Sequence, residues 1–164
     1  MDPTALKPAA HGTTQTPAHE SYVDALERAR QLVPQLRERS RRAEKARELL
    51  PETLEDLLGA GILRVMQPRR WGGMEFDLVA YFDFPYELAR GCASTSWTVV
   101  NLLIHNWMLA LYDERAQEEI WASNHDVLIA SGVVFAQGQG RKVDGGFVIS
   151  GRWNFSSEIG RAHV

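Results

Sequence analysis

The chain has 164 residues, enough for one domain with a real core. Apolar residues make up 45% and charged residues 24%, the balance of a soluble globular protein, and the formal net charge of −3 gives no reason to expect a nucleic acid or an anionic membrane as partner. The single cysteine, Cys92, excludes an internal disulfide, and the opening residues lack the basic-then-apolar pattern of a signal peptide, so a cytoplasmic protein is expected.

Residues 1–20, rich in Pro, Thr, Ala and His without a hydrophobic period, are expected to be a disordered tail. From Ser21 to Leu50 the pattern is helical, with Tyr22, Ala25, Leu26, Ala29, Leu32, Val33 and Leu36 recurring at spacings of three and four. Pro34 falls inside it and should kink the helix or start a new one. The basic stretch Arg37–Arg47, interleaved with Glu38 and Glu44, reads as a solvated helix face. Pro51 suits the first position of a second helix, PETLEDLLGAGI, which Gly59 and Gly61 should end. Arg69-Arg70-Trp71-Gly72-Gly73 reads as a loop, with glycines where the backbone must turn. Further helices are expected from Leu78 to Arg90, disturbed by Pro85, from Ser94 to Tyr112, and over DERAQEEIWA.

The most apolar run, Thr98 to Tyr112, is shorter than the roughly 20 residues of a spanning helix. Asn101, His105 and Asn106 interrupt it, so it reads as a helix buried in a bundle. Beyond Asn124 the texture changes. Asp126–Phe135 is strand-prone, and Lys142–Ser150 is a hairpin candidate with Asp144-Gly145-Gly146 at its turn. Helices followed by strands indicate an α+β chain, with a helical domain over residues 21–124 and the opening of a β domain over 125–158.

Common catalytic constellations are missing. There is no H-E-x-x-H, no paired Cys-x-x-Cys and no G-x-S-x-G, and Gly138-x-Gly140 precedes no helix, so zinc, serine-hydrolase and dinucleotide signatures all fail. The fourth helix says more. Trp97, Asn101, His105, Met108 and Tyr112 share one face of an otherwise apolar helix. A buried Asn and His need partners, because an unpaired buried polar group costs about 1–3 kcal/mol. Two readings stay open: core side chains that tie helices together, or a face lining a cavity for an aromatic ligand.

Four segments then point one way: AGILRVMQPRRWGG, Ser94-Thr95-Ser96-Trp97, the stretch His105–Trp121, and VDGGFVISGRWNFSS at Val143–Ser157. In this order, across about residues 25–157, they resemble the two-component flavin-dependent monooxygenases, phenol-hydroxylating oxygenases with the acyl-CoA dehydrogenase fold. Within that family the chain is most similar to hydroxylases of secosteroid phenols. A true acyl-CoA dehydrogenase would show T-E-P-x-x-G-S-D and K-x-W-I-T-N. The corresponding stretches here, SGVVFAQGQG at Ser131–Gly140 and RWNFSS at Arg152–Ser157, agree better with the monooxygenases, although the proline that these usually carry near Ala136 is missing.

The resemblance implies an N-terminal all-α bundle of the acyl-CoA dehydrogenase fold followed by the start of its β domain, truncated. It implies reduced flavin, FMN or FAD, delivered by a separate flavin reductase, a phenolic substrate, and a homo-oligomer, a tetramer, at full length. Trp97, Ser131, Trp153, Ser156 and Ser157 match flavin-contacting positions, and His105 matches a catalytic histidine on the substrate side; no metal is implied. A complete member would be roughly twice this length or more. One permitted coding of Ile159–Val164 coincides with a common sequencing adapter, so that tail is expected to be non-native, and the chain as given is expected not to turn over substrate. The competing readings are an acyl-CoA dehydrogenase and a non-catalytic helical interaction module.

Overall fold

The computed structural model describes residues 21–132 and 135–157. The tails read at 1–20 and 159–164 lie outside the described residues. Among the described residues five α-helices come first: α1 (Tyr22–Ala46), α2 (Pro51–Gly59), α3 (Ala80–Ala89), α4 (Ala93–Ala110) and α5 (Glu114–Trp121). An antiparallel hairpin of β1 (Gly138–Val143) and β2 (Gly146–Gly151) follows. The α+β order expected from the sequence is present, with helix dominant.

Pro34 does not start a new helix; α1 runs through it for 25 residues. An interior proline costs roughly 3 kcal/mol. Burial of Val33 and Leu36, its neighbours on the core stripe with Ala25 and Ala29, offsets about that much, while Pro34 itself faces solvent. The basic stretch of α1 is a solvated face as expected, with Arg37, Arg41, Arg42, Lys45 and Arg47 exposed, and on it Arg39 pairs with Asp56 at 2.6 Å and Arg42 with Glu52 at 2.8 Å, which docks the acidic α2. Proline opens α2 at its first position, and α5 is capped by Asp113, whose carboxylate accepts the Arg115 N–H at 3.0 Å.

The core is the apolar faces of α1, α3 and α4 closed by α2 and the 3-10 turn Ile62–Arg64. Leu57, Ile62, Val65, Phe84, Leu88, Val99 and Leu103 are fully enclosed there. In the Arg69–Gly73 loop, Gly72 sits at φ +79°, where only glycine is unstrained, and a Cβ on Gly73 would lie 2.0 Å from the Gln67 carbonyl oxygen. A smaller cluster of Leu109, Trp121 and Val127, with Trp71 and Ile129 against it, joins that loop to α4 and α5.

Asp126–Phe135 departs from expectation. Among its described residues no strand forms, and Phe135 opens a 3-10 turn ending at Gln137. A strand needs a ladder partner; β1 and β2 pair with each other, whereas Val127 and Leu128 are buried against the helices. The hairpin is longer than Lys142–Ser150 and turns at Asp144-Gly145, with Gly145 at φ +77° and Val143 opposite Gly146. Gly138 and Gly151 face each other across it, and the Trp153 ring lies over both, 2.3 Å and 2.9 Å from where their β-carbons would be.

Candidate functional site

α4 buries Val99, Leu102 and Leu103 in the core and carries Trp97, Asn101, His105 and Met108 along another face; Tyr112, expected on the same helix, lies beyond its end at Ala110. Trp97 is 62% exposed and Tyr112 59%, while Asn101 and Met108 are half-buried and His105 is buried. The polar groups of this face form a ladder of side-chain bonds to the helix's own carbonyls. Asn101 Nδ2 donates to the Trp97 carbonyl at 2.8 Å, and His105 Nδ1 meets the Asn101 carbonyl at 2.5 Å. The last rung leaves the helix: the Ser131 backbone N–H donates to His105 Nε2 at 3.2 Å. A carbonyl can only accept and an amide N–H only donate, so these partners assign the tautomer with the proton on Nδ1.

Ser131 itself is exposed, and the residue after it is packed tightly. A Cβ on Gly132 would lie 3.2 Å from Trp153 Cβ and 3.7 Å from Ser156 Cβ, so the chain leaving the helical domain runs directly along the chain leaving the hairpin. Asn154 N–H, donating to Gln137 Oε1 at 2.8 Å, holds that second segment. His105, Ser131, Trp153 and Ser156 therefore converge, with half-buried Ser157 next in the chain. Trp97 stands apart from them. Eight residues from His105, it lies about 12 Å away along the helix axis. There it lines a groove of about 810 Å³ with Ala43, Glu44 and Arg47 of the α1 end and Ser94 of the α4 start.

Three polar residues that the sequence did not offer as site residues hold this frame. Asn106 Nδ2 donates to the Leu63 carbonyl at 2.7 Å. Gln67 Nε2 donates to the carbonyls of Trp71 at 2.7 Å and His125 at 3.1 Å. Gln117 donates to the Ala110 and Tyr112 carbonyls and accepts from Arg70 at 2.7 Å and Trp71 at 3.2 Å. Gln117 carried a usable signal, for it stands four residues before buried Trp121 on the same face of α5. Among the described residues no group of His, Cys, Asp or Glu could hold a metal, and no helix is long and apolar enough to cross a membrane.

Chemically, the converging residues offer hydroxyls and an indole beside a main chain held in place. That donor set suits the polar atoms and flat ring of a flavin.

Residues 16–124 match the family described as acyl-CoA dehydrogenase, N-terminal domain. Over 126 residues, 77% of this chain and 32% of the relative, the chain is 40% identical to the flavin-dependent monooxygenase oxygenase subunit HsaA of Mycobacterium tuberculosis. It is 32% identical over 121 residues, 74% of this chain and 29% of the relative, to the FADH2-dependent resorcinol hydroxylase oxygenase component of a Rhizobium species. The crystal structure of the M. tuberculosis HsaA monooxygenase superposes with a TM-score of 0.82 at 36% identity, covering 87% of this chain and 39% of that one. The chain thus spans about a third of the length of the curated relatives it matches.

Proposed function

We propose, from the premise that this chain belongs to the acyl-CoA dehydrogenase family through its N-terminal domain, that it is the N-terminal part of the oxygenase component of a two-component flavin-dependent monooxygenase acting on a phenol. The observation that carries the reading is the convergence of Ser131-Gly132 with Trp153 and Ser156 beside His105, two segments brought together from opposite ends of the hairpin. The similarity to oxygenase components of hydroxylases supports it.

In this reading Trp97, Ser131, Trp153, Ser156 and Ser157 hold the flavin. The bound reduced flavin, FADH2 or FMNH2, supplies two electrons to O₂, so that one oxygen atom enters the phenol ring and the other leaves as water. This chain's own residues present hydroxyls and main-chain groups to the flavin's polar edge, with the Trp153 indole packing beside it and screening it from water, while Trp97, in its separate groove farther along α4, meets a more distant part of the cofactor. The partners are a separate flavin reductase and further copies of the chain, in the cytoplasm. The boundary between the helical domain, 21–124, and the β domain opening at 125 is supported by the family match ending at residue 124 and α5 ending at Trp121.

The test uses the full-length enzyme with reduced flavin, O₂ and a simple phenol, followed by chromatography of the product. A catechol is expected, and acyl-CoA should leave the oxidised flavin unbleached. Rapid bleaching by an acyl-CoA with no phenol hydroxylated would replace this reading with that of a dehydrogenase.

A further inference from the structure

Glycine is a poor strand residue, because it brings no side chain to pack and loses the most backbone freedom on ordering. Yet the outermost pair of the hairpin is glycine on both strands, Gly138 opposite Gly151. Backbone conformation does not require it: the positive-φ glycines among the described residues are Gly61, Gly72 and Gly145, and neither Gly138 nor Gly151 is one of them. Space does. A Cβ on Gly138 would lie 2.3 Å from Trp153 Cζ2, 3.0 Å from Cε2 and 3.2 Å from Nε1, so its three nearest neighbours all belong to one indole. At Gly151 the neighbours are Trp153 Cη2 at 2.9 Å and, at 2.8 Å, the hairpin's own Gln137 carbonyl oxygen and Gly138 Cα. Gly140, two residues along the same strand, opposes Ile149, and a Cβ there would meet nothing within 4 Å. The requirement is thus local to the indole. Directly opposed residues of an antiparallel pair project to the same side of the sheet, so the two missing side chains leave one notch, and the ring fills it. The ring's root is tied as well, since the next residue, Asn154, donates its N–H to Gln137 Oε1 at 2.8 Å. Trp153 nevertheless stays 37% exposed, so the hairpin holds the ring without enclosing it.

We propose that Gly138 and Gly151 are positioning residues, a notch free of side chains that seats the Trp153 indole and sets the face it offers to a planar ligand. That the ligand is a flavin rests on the monooxygenase reading; the seat does not. In nuclear Overhauser spectra of the 164-residue chain, the Trp153 ring protons should show cross-peaks to the α-protons of Gly138 and Gly151. Gly138→Ala should abolish the cross-peak to Gly151, and Gly140→Ala should leave both in place. Missing cross-peaks in the native chain, or a Gly151 cross-peak that survives Gly138→Ala, would overturn the proposal.

In the full-length enzyme Gly138→Ala should weaken flavin binding by roughly tenfold, the worth of one aromatic contact. Gly140→Ala should stay within about twofold of wild type. Repeating Gly138→Ala in a Trp153→Leu background separates a seat from a merely structural glycine. With no indole to displace, the added methyl should cost no further affinity. An equal loss in both backgrounds, or from Gly140→Ala, would place the effect in the strand itself and sink the proposal, as would unchanged affinity in Gly138→Ala. If the wild-type enzyme binds no reduced flavin, the monooxygenase reading falls, and the ring cross-peaks still decide the seat.

Discussion

Asn106 donates from Nδ2 to the carbonyl of Leu63 at 2.7 Å, joining α4 to the 3-10 turn after α2 across 43 residues, and both residues are buried. Asn106→Leu keeps the volume and leaves that carbonyl without its donor in an apolar setting. The substitution should destabilise the chain by about 1–3 kcal/mol. Urea unfolding followed by circular dichroism is the measurement, and a change under about 0.5 kcal/mol would mean that the bond contributes little net stability.

Two glycines should respond in opposite directions to the same added methyl. At Gly91, in the turn between α3 and α4, a Cβ would lie 2.6 Å from the Val33 carbonyl oxygen and 2.8 Å from Leu36 Cβ, so α1 would have to move. Gly91→Ala should lower stability by about 1–3 kcal/mol. At Gly59, the last residue of α2, nothing lies within 4 Å of the new carbon. Gly59→Ala should be neutral or raise stability by up to about 1 kcal/mol. Thermal melts of the two variants side by side test the contrast.

Glu87 gives the helical domain an acid-sensitive joint. Its buried carboxylate accepts from Arg90 at 2.7 Å and from Arg30 of α1 at 3.0 Å. The Arg90 bond foremost, then the Arg30 bond, hold its carboxyl below the ordinary carboxylate range, with burial acting the other way. A depressed folded-state value means that the stabilisation is complete above the unfolded-state pKa and disappears as pH falls through the folded one. Glu87→Gln should therefore cost about 1–2 kcal/mol at pH 7. The gap to wild type should close in acid, and a gap constant across that range would remove the ionic explanation.

Trp97 should separate function from fold. Being 62% exposed, it contributes little to the core, and Trp97→Ala should change stability by less than about 0.5 kcal/mol. Within the proposed monooxygenase the same change removes an aromatic wall. Flavin binding should weaken up to about tenfold, with more O₂ released as peroxide. A flavin titration and a melting curve on the same full-length variant decide it. An unfolded variant, or unaltered flavin affinity, would take Trp97 out of the flavin site.

The helices were legible in the sequence because helix signals are local. The three-and-four spacing from Tyr22 to Leu36, Pro51 at a first turn, Asp113 ahead of α5 and the glycines of the Arg69–Gly73 loop each act within a turn or two of chain. The shared face of Trp97, Asn101 and His105 followed from helical geometry alone, as did the Asp144-Gly145 turn from its composition. What sequence spacing cannot carry is the identity of a partner far along the chain. Pro34 was tolerated because the stripe on either side of it found a core. The β-prone run from Asp126 made no strand among its described residues because Val127 and Leu128 met helices instead of a ladder. The same holds at the site: His105 was identifiable as a buried polar group in need of a partner, but only the tertiary structure decided that the partner is the Ser131 main chain, because a hydrogen bond depends on distances of about 3 Å that folding alone creates.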